Sequence, residues 1–136
     1  MLLQPYLSSV ETTGEISLIY FEGTLNHTVR KVPVPGDYRV QDDFGATDFP
    51  VEAPQSTEEI GAAAMAYAAQ HCALSEPLLY GRVDLLQMDD GCWVLNELEL
   101  IEPSLFFRHS VTAGKTLADA LQTRLGGAPT VAQKSP

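Results

Sequence analysis

The chain has 136 residues, room for one ordinary domain and too few for two, and 45% of them are hydrophobic, so a real core can form. Eighteen acidic against eight basic residues leave a net charge of −10, which argues against binding along a nucleic acid through a general basic field. Cys72 and Cys92 lack C-x-x-C spacing, the N-terminus has no basic leader, and no run approaches the about 20 apolar residues of a membrane span. The expectation is a cytoplasmic protein with no disulfide framework and neither a nucleic-acid nor a membrane partner.

In chain order, residues 2–7 read as a short strand end, with Pro5 removing one ladder donor. Residues 15–32 read as a hairpin: the β-forming run EISLIYF, a turn at Glu22-Gly23, and a return from Leu25 to Val32. The segment 33–54 holds four prolines and two glycines and reads as loop, with a short extended piece near Tyr38 to Gln41. A helix is predicted from Ser56, with Ser56 and Glu59 at capping-box spacing. Its stripe is Ile60, Ala63, Ala64, Tyr67, Ala68 and His71. A second hairpin joins 78–88 to 93–101 through Asp89-Asp90-Gly91, and a second helix over 113–125 stops at Gly126-Gly127. The order predicts an α+β domain over 1–126, an antiparallel sheet with helices packed on one face, followed by a flexible tail at 127–136.

The second hairpin carries the densest chemistry. Six of the eighteen acids fall between Asp84 and Glu102. Tyr80, Arg82, Asp84 and Leu86 share one face of the first strand, and Trp93, Leu95, Glu97, Glu99 and Ile101 one face of the second. Pairing Met88 with Trp93 places Asp84 opposite Glu97 and Arg82 opposite Glu99. Like charges facing each other destabilise a sheet, and Arg82 offsets only one of them. A hard divalent cation, Mg²⁺ or Mn²⁺, resolves the conflict, because such ions take clustered carboxylate oxygens. The plain alternative is a polar sheet face turned to solvent. A paired acid and base for glycoside hydrolysis is a third reading. Carboxylates that close suit a shared metal at least as well.

Few bases are available to meet an anion. Arg30 and Lys31 lie on the first hairpin, and Arg39 lies in the loop that follows, where it either holds an anion near the acidic hairpin or pairs with Asp37, Asp42 or Asp43. Glu15 heads the first strand, placed to accept from ligand hydroxyls or to pair with Lys31 across the hairpin. His27, beside polar neighbours on a strand, either binds substrate or, as a lone His more often does, serves structure; His71 and His109 lack metal-spaced partners and read as structural. No nucleophile elbow, P-loop or dinucleotide fingerprint occurs.

Taken together, Gln4-Pro5-Tyr6-Leu7, Gly14-Glu15-Ile16-Ser17, Lys31 with Gly36-Asp37-Tyr38-Arg39-Val40-Gln41, Arg82-Val83-Asp84 and the run from Asn96 to Ser104 resemble the C-terminal half of the ATP-grasp fold. The nearest branch holds glutathione synthetases, ribosomal-protein glutamate ligases and the cycloserine-forming ligase. The resemblance implies ATP and Mg²⁺ (or Mn²⁺) as cofactors and a ligase that activates a carboxylate as an acylphosphate for attack by an amine or similar nucleophile. It implies that Gln4, Pro5, Tyr6 and Leu7 form the hinge at the adenine and that Glu15 lies near the ribose. Lys31 and Gln41 then belong to the nucleotide site, and Arg39 faces phosphates or the acyl group as the catalytic candidate. Asp84, Glu97 and Glu99 are implied as metal ligands, and Glu102-Pro103-Ser104 as a loop closing on substrate. Glu99 departs from the asparagine of many relatives. The family's earlier lobe, with its phosphate-gripping lysine, has no counterpart in the sequence. The chain is therefore expected to be a fragment, with a nucleotide and a small carboxylate as ligands and a missing lobe or second chain as partner. The alternative is a non-catalytic metal- or partner-binding module derived from that fold.

Overall fold

The computed structural model describes residues 4–40 and 45–126; Gln41 and the tail at 127–136 lie outside the described residues. Residues 4–7 form no strand and lead into a 3-10 turn at Ser8–Glu11. The central strand β1 (Glu15–Phe21) is buried at every position, as a run of β-branched and aromatic residues sandwiched on both faces should be. Glu22 and Gly23, both at positive φ (50° and 72°), turn the chain into β2 (Thr24–Val32), which pairs with β1 antiparallel.

The Pro-rich segment holds a strand that propensity hides. β3 (Thr47–Pro50) adds to the free side of β2 with Pro50 opposite Val29, whereas the extended piece expected near Tyr38 forms no strand in its described part. Proline is tolerated there because β3 is an edge. β4 (Tyr80–Gln87) pairs with the other side of β1, and β5 (Trp93–Glu99) lies outside β4, giving one antiparallel sheet in the order β3-β2-β1-β4-β5.

Helix α1 (Gln55–His71) begins one residue before the expected start, and Ser56 and Glu59 make no capping box. The Thr57 hydroxyl instead donates to the Pro54 carbonyl at 2.6 Å, and Gln55 Nε2 donates to Glu59 at 3.1 Å. Thr57, Gly61, Met65 and Ala68 are buried, while Tyr67 points outward and stacks on His71. In an alanine-rich helix the large Met65 and the close approach allowed at Gly61 choose the buried face. A Cβ at Gly61 would run into Leu18 and the Tyr20 ring.

Alternate residues of β1 enter two separate cores. Ile16, Leu18 and Tyr20 pack with Val83, Leu85 and Met65 under α1. Ile19 and Phe21 pack with Val29, Phe106 and Ala113, the last from helix α2 (Ala113–Arg124). The α+β class and the antiparallel sheet are as the sequence implies; the two helices take opposite faces of that sheet, because both faces of β1 are apolar. No helix among the described residues is long and apolar enough to cross a membrane.

Candidate metal and nucleotide site

Asp84 anchors the site from the middle of β4, where it is 1% exposed. Ser17 Oγ donates to it from β1 at 2.6 Å. Arg82, two residues away on the same face, grips it through Nε and Nη2 at 2.9 to 3.1 Å, and Lys31 Nζ approaches at 3.4 Å. Lys31 also pairs with Glu15, its register partner across the first hairpin, and Arg82 pairs with Glu99. Glu15 takes a further hydrogen bond from Asn96 Nδ2 at 2.8 Å. Burial first, and then the Asp84 charge, push the Glu15 carboxyl above its ordinary value, with Lys31 and Asn96 pulling the other way. Burial works against the Arg82 charge, but the hydrogen bonds and charges of Asp84, with Glu99 and Glu15, hold its pKa above the ordinary value.

The predicted cross-strand pairs form: Asp84 faces Glu97 and Arg82 faces Glu99. They form by a different route from the one read in the sequence. The turn closes on Gln87 opposite Trp93, not on Met88, and β5 then carries an extra residue, Asn96, between the partners of Leu85 and Asp84. Two one-residue differences cancel. Trp93 therefore packs on the α1 core while Glu97 and Glu99 point to the other side, so these residues do not share one face. The cue lies in the apolar pattern, which runs Trp93 and Leu95, then Leu98 and Leu100, out of phase by one.

One oxygen from each of Asp84, Glu97 and Glu99 lies within 4.8 Å of the others. With all groups ionised, Glu15, Asp84, Glu97 and Glu99 set four negative charges against the two positive charges of Lys31 and Arg82. The two-charge excess and the all-oxygen donor set fit a hard divalent cation. Glu97 and Glu99 are the more accessible donors. The Asp84 oxygens already accept from Ser17, Arg82 and Lys31, so Asp84 is the most heavily engaged of the three donors.

Beside this cluster a cavity of about 550 Å³ opens, within the range of small-molecule sites. Among the residues singled out in the sequence, Gln4, Pro5, Tyr6, Leu7, Glu15, Lys31, Arg39 and Glu97 line it; Asp84 and Glu99 connect to it through Lys31 and Arg82. Its apolar walls, Val10, Val40, Leu86, Val94 and Leu95, escape sequence reading because they come from four separate segments. Tyr6 meets Tyr38 edge-on at 6.2 Å, bringing the N-terminal segment and the Arg39 loop together. Arg39 makes the local pair with Asp37, at 2.6 to 3.1 Å, and its guanidinium holds the Asp37 carboxyl well below the usual range. His27 is structural in the expected way: Nε2 lies 3.1 Å from the Leu105 carbonyl and Nδ1 2.8 Å from Asn26 Oδ1.

Solved structures of ATP-grasp ligases share the fold of this sheet and its helices. The chain is similar to the ATP-grasp ligase PsnB complexed with a phosphomimetic variant of its minimal precursor, Mg and ADP. That match has a TM-score of 0.53 at 20% identity and covers 81% of this chain and 32% of PsnB. It is similar to D-alanine–D-alanine ligase from Bacillus anthracis complexed with ATP, with a TM-score of 0.51 at 20% identity over 82% of this chain and 36% of that one. A much stronger likeness is to D-cycloserine synthetase DcsG, whose crystal structure matches with a TM-score of 0.79 at 35% identity over 90% of this chain and 41% of that one. In sequence the chain is 36% identical over 135 residues to the cycloserine biosynthesis protein DcsG of Streptomyces lavendulae, covering 92% of this chain and 42% of the relative. The chain is thus a homologue of DcsG with the fold of part of an ATP-grasp ligase, and it spans about two fifths of that relative's length. No family model matches it.

Proposed function

We propose that the chain is the metal-binding lobe, and one wall of the nucleotide site, of an ATP-dependent carboxylate–amine or related ligase. The observation that carries this reading is the convergence of Asp84, Glu97 and Glu99 beside a cavity that also presents Lys31, Arg39 and Arg82. Phosphates are met by cations, and clustered carboxylates by a metal; Lys31, Arg39 and Arg82 near Asp84, Glu97 and Glu99 support this reading. Leu7, Val10, Val94 and Leu95 give the cavity apolar surface suited to a base, and Glu15 and Lys31 line the same cavity.

In this reading Mg²⁺ or Mn²⁺, held by Glu97 and Glu99 with Asp84, supplies charge neutralisation for the polyphosphate. Arg82 and Lys31 hold Asp84 in place and present positive charge to phosphate oxygens, and Arg39 reaches the transferring group from the loop after β2. The reaction class moves the terminal phosphoryl group of ATP onto a carboxylate oxygen, releasing ADP. An amine then forms the carbon–nitrogen bond as phosphate leaves the acyl carbon and the nitrogen gives up a proton. The opposite wall of the nucleotide site belongs to a second lobe, in the same or another polypeptide.

Thermal denaturation with and without Mg²⁺ or Mn²⁺ tests the reading. The ion raises the melting temperature of the wild-type chain, ATP adds a further rise only when the ion is present, and Glu97→Ala abolishes both. An equal metal response in Glu97→Ala removes the assignment. Robust ATP hydrolysis by this lobe alone would contradict the shared-site arrangement.

A further inference from the structure

Asn96 has no partner on β4: Leu95 faces Leu85, Glu97 faces Asp84, and Asn96 is the additional residue between them. A bulge of this kind reverses which side the rest of the strand presents. Were β5 regular from its Gln87–Trp93 pair onward, Asp84 would face Asn96 and Arg82 would face Leu98. Glu97 and Glu99 would then point into the α1 core, and Leu98 and Leu100 toward the cavity. The apolar pattern of β5 favours the bulge, because Leu98 and Leu100 pack against the α1 core. The side chain of Asn96 then reaches across β4 to donate from Nδ2 to Glu15 Oε2 at 2.8 Å, while the other Glu15 oxygen engages Lys31.

We propose that Asn96, locked by Glu15, is a positioning residue: the Asn96–Glu15 bridge fixes the bulge geometry that turns Glu97 and Glu99 onto the Asp84 side of the sheet. The inference rests on the metal-site reading above and adds residues that touch no metal. Hydrogen-bonded supports of this sort commonly change metal affinity by about 10-fold or more when removed.

Mn²⁺ binding, followed by the loss of the free-ion paramagnetic resonance signal, provides the test. Asn96→Ala and Glu15→Ala are each expected to weaken binding about 10-fold, and the double variant no further than either, because both remove one bridge. Glu15→Gln, whose amide oxygen still accepts from Asn96, should lose less affinity than Glu15→Ala, since both remove the same charge and only the second removes the bridge. Wild-type affinity in Asn96→Ala, or losses that multiply in the double variant, overturn the proposal. Glu97→Ala separates the two readings: if it binds Mn²⁺ as the wild type does, the metal site fails, and the metal-free chain decides the positioning role. There, Asn96→Ala should speed amide hydrogen exchange at Glu97 and Glu99 about 10-fold, as expected for one lost hydrogen bond, with Val94 unchanged. Unaltered exchange at Glu97 and Glu99 overturns it.

Discussion

Arg82 grips Asp84 along a single strand, with Nε and Nη2 at 2.9 to 3.1 Å from a carboxylate that is 1% exposed. Lys31 approaches the same carboxylate from β2, so Asp84 is the counter-ion for two nearly buried cations at once. Removing it leaves Lys31 with Glu15 alone and Arg82 with the partly exposed Glu99 alone. Asp84→Ala is therefore expected to destabilise the metal-free chain by about 3 kcal/mol in urea unfolding. Glu97→Ala, at an exposed position, should stay within about 0.5 kcal/mol. Equal losses in the two variants would show that Asp84 is no electrostatic anchor.

Gly14, the residue before β1, has a φ of 76°, and a Cβ there would press into the Lys31 carbonyl. Backbone strain and a clash with backbone act together, and neither side can yield by rotating a side chain. Gly14→Ala is expected to lower stability by about 2 kcal/mol or more, visible as a drop in melting temperature. A neutral Gly14→Ala would mean that the first hairpin can re-register at its open end.

Glu15 gives the metal-free chain a pH dependence of definite sign. Its folded pKa lies above the ordinary carboxyl value, first because of burial and then because of Asp84. Between the two values the folded state binds more protons than the unfolded one, so this contribution favours the fold in mild acid. It is lost as pH rises through the folded pKa. Melting temperature should fall across that window, and Glu15→Gln should flatten the slope. A wild-type slope in the variant would assign the dependence elsewhere.

His27 acts in the opposite sense. Burial holds its folded pKa below the ordinary 6.5, outweighing the carbonyls of Leu105 and Phe106. Above that ordinary value both states are neutral and the contribution is intact. As pH falls from there through the lower folded pKa, the unfolded chain takes the proton first and stability declines. His27→Gln should remove this decline in pH-dependent unfolding, and the region around Leu105, which His27 contacts, should be the first to lose amide protection in the wild type.

Local pattern made much of the fold and site legible. β-forming runs and turn residues mark both hairpins, an alanine-rich run marks α1, and Gly126 ends α2. The acidic spacing on β4 and β5 picks out the three carboxylates that converge, with Arg82 and Lys31 beside them. Most of these signals are carried by residues near one another in the chain, where strand or helix period is a first guide to geometry.

What lies beyond the sequence depends on parts of the chain far apart. β3 exists because the free side of β2 offers a ladder to Thr47–Pro50, although proline argues against a strand locally. α1 and α2 occupy opposite faces because alternate residues of β1 supply an apolar surface to each. The bulge at Asn96 is set by the competition between the turn register and the core positions of Leu98 and Leu100, and its side chain finds Glu15 only after β1, β4 and β5 have assembled. The sequence by itself determined which side chains carry the charge. The tertiary structure decided which way they face, because one extra residue in a strand reverses its sides and only long-range packing says where that residue goes.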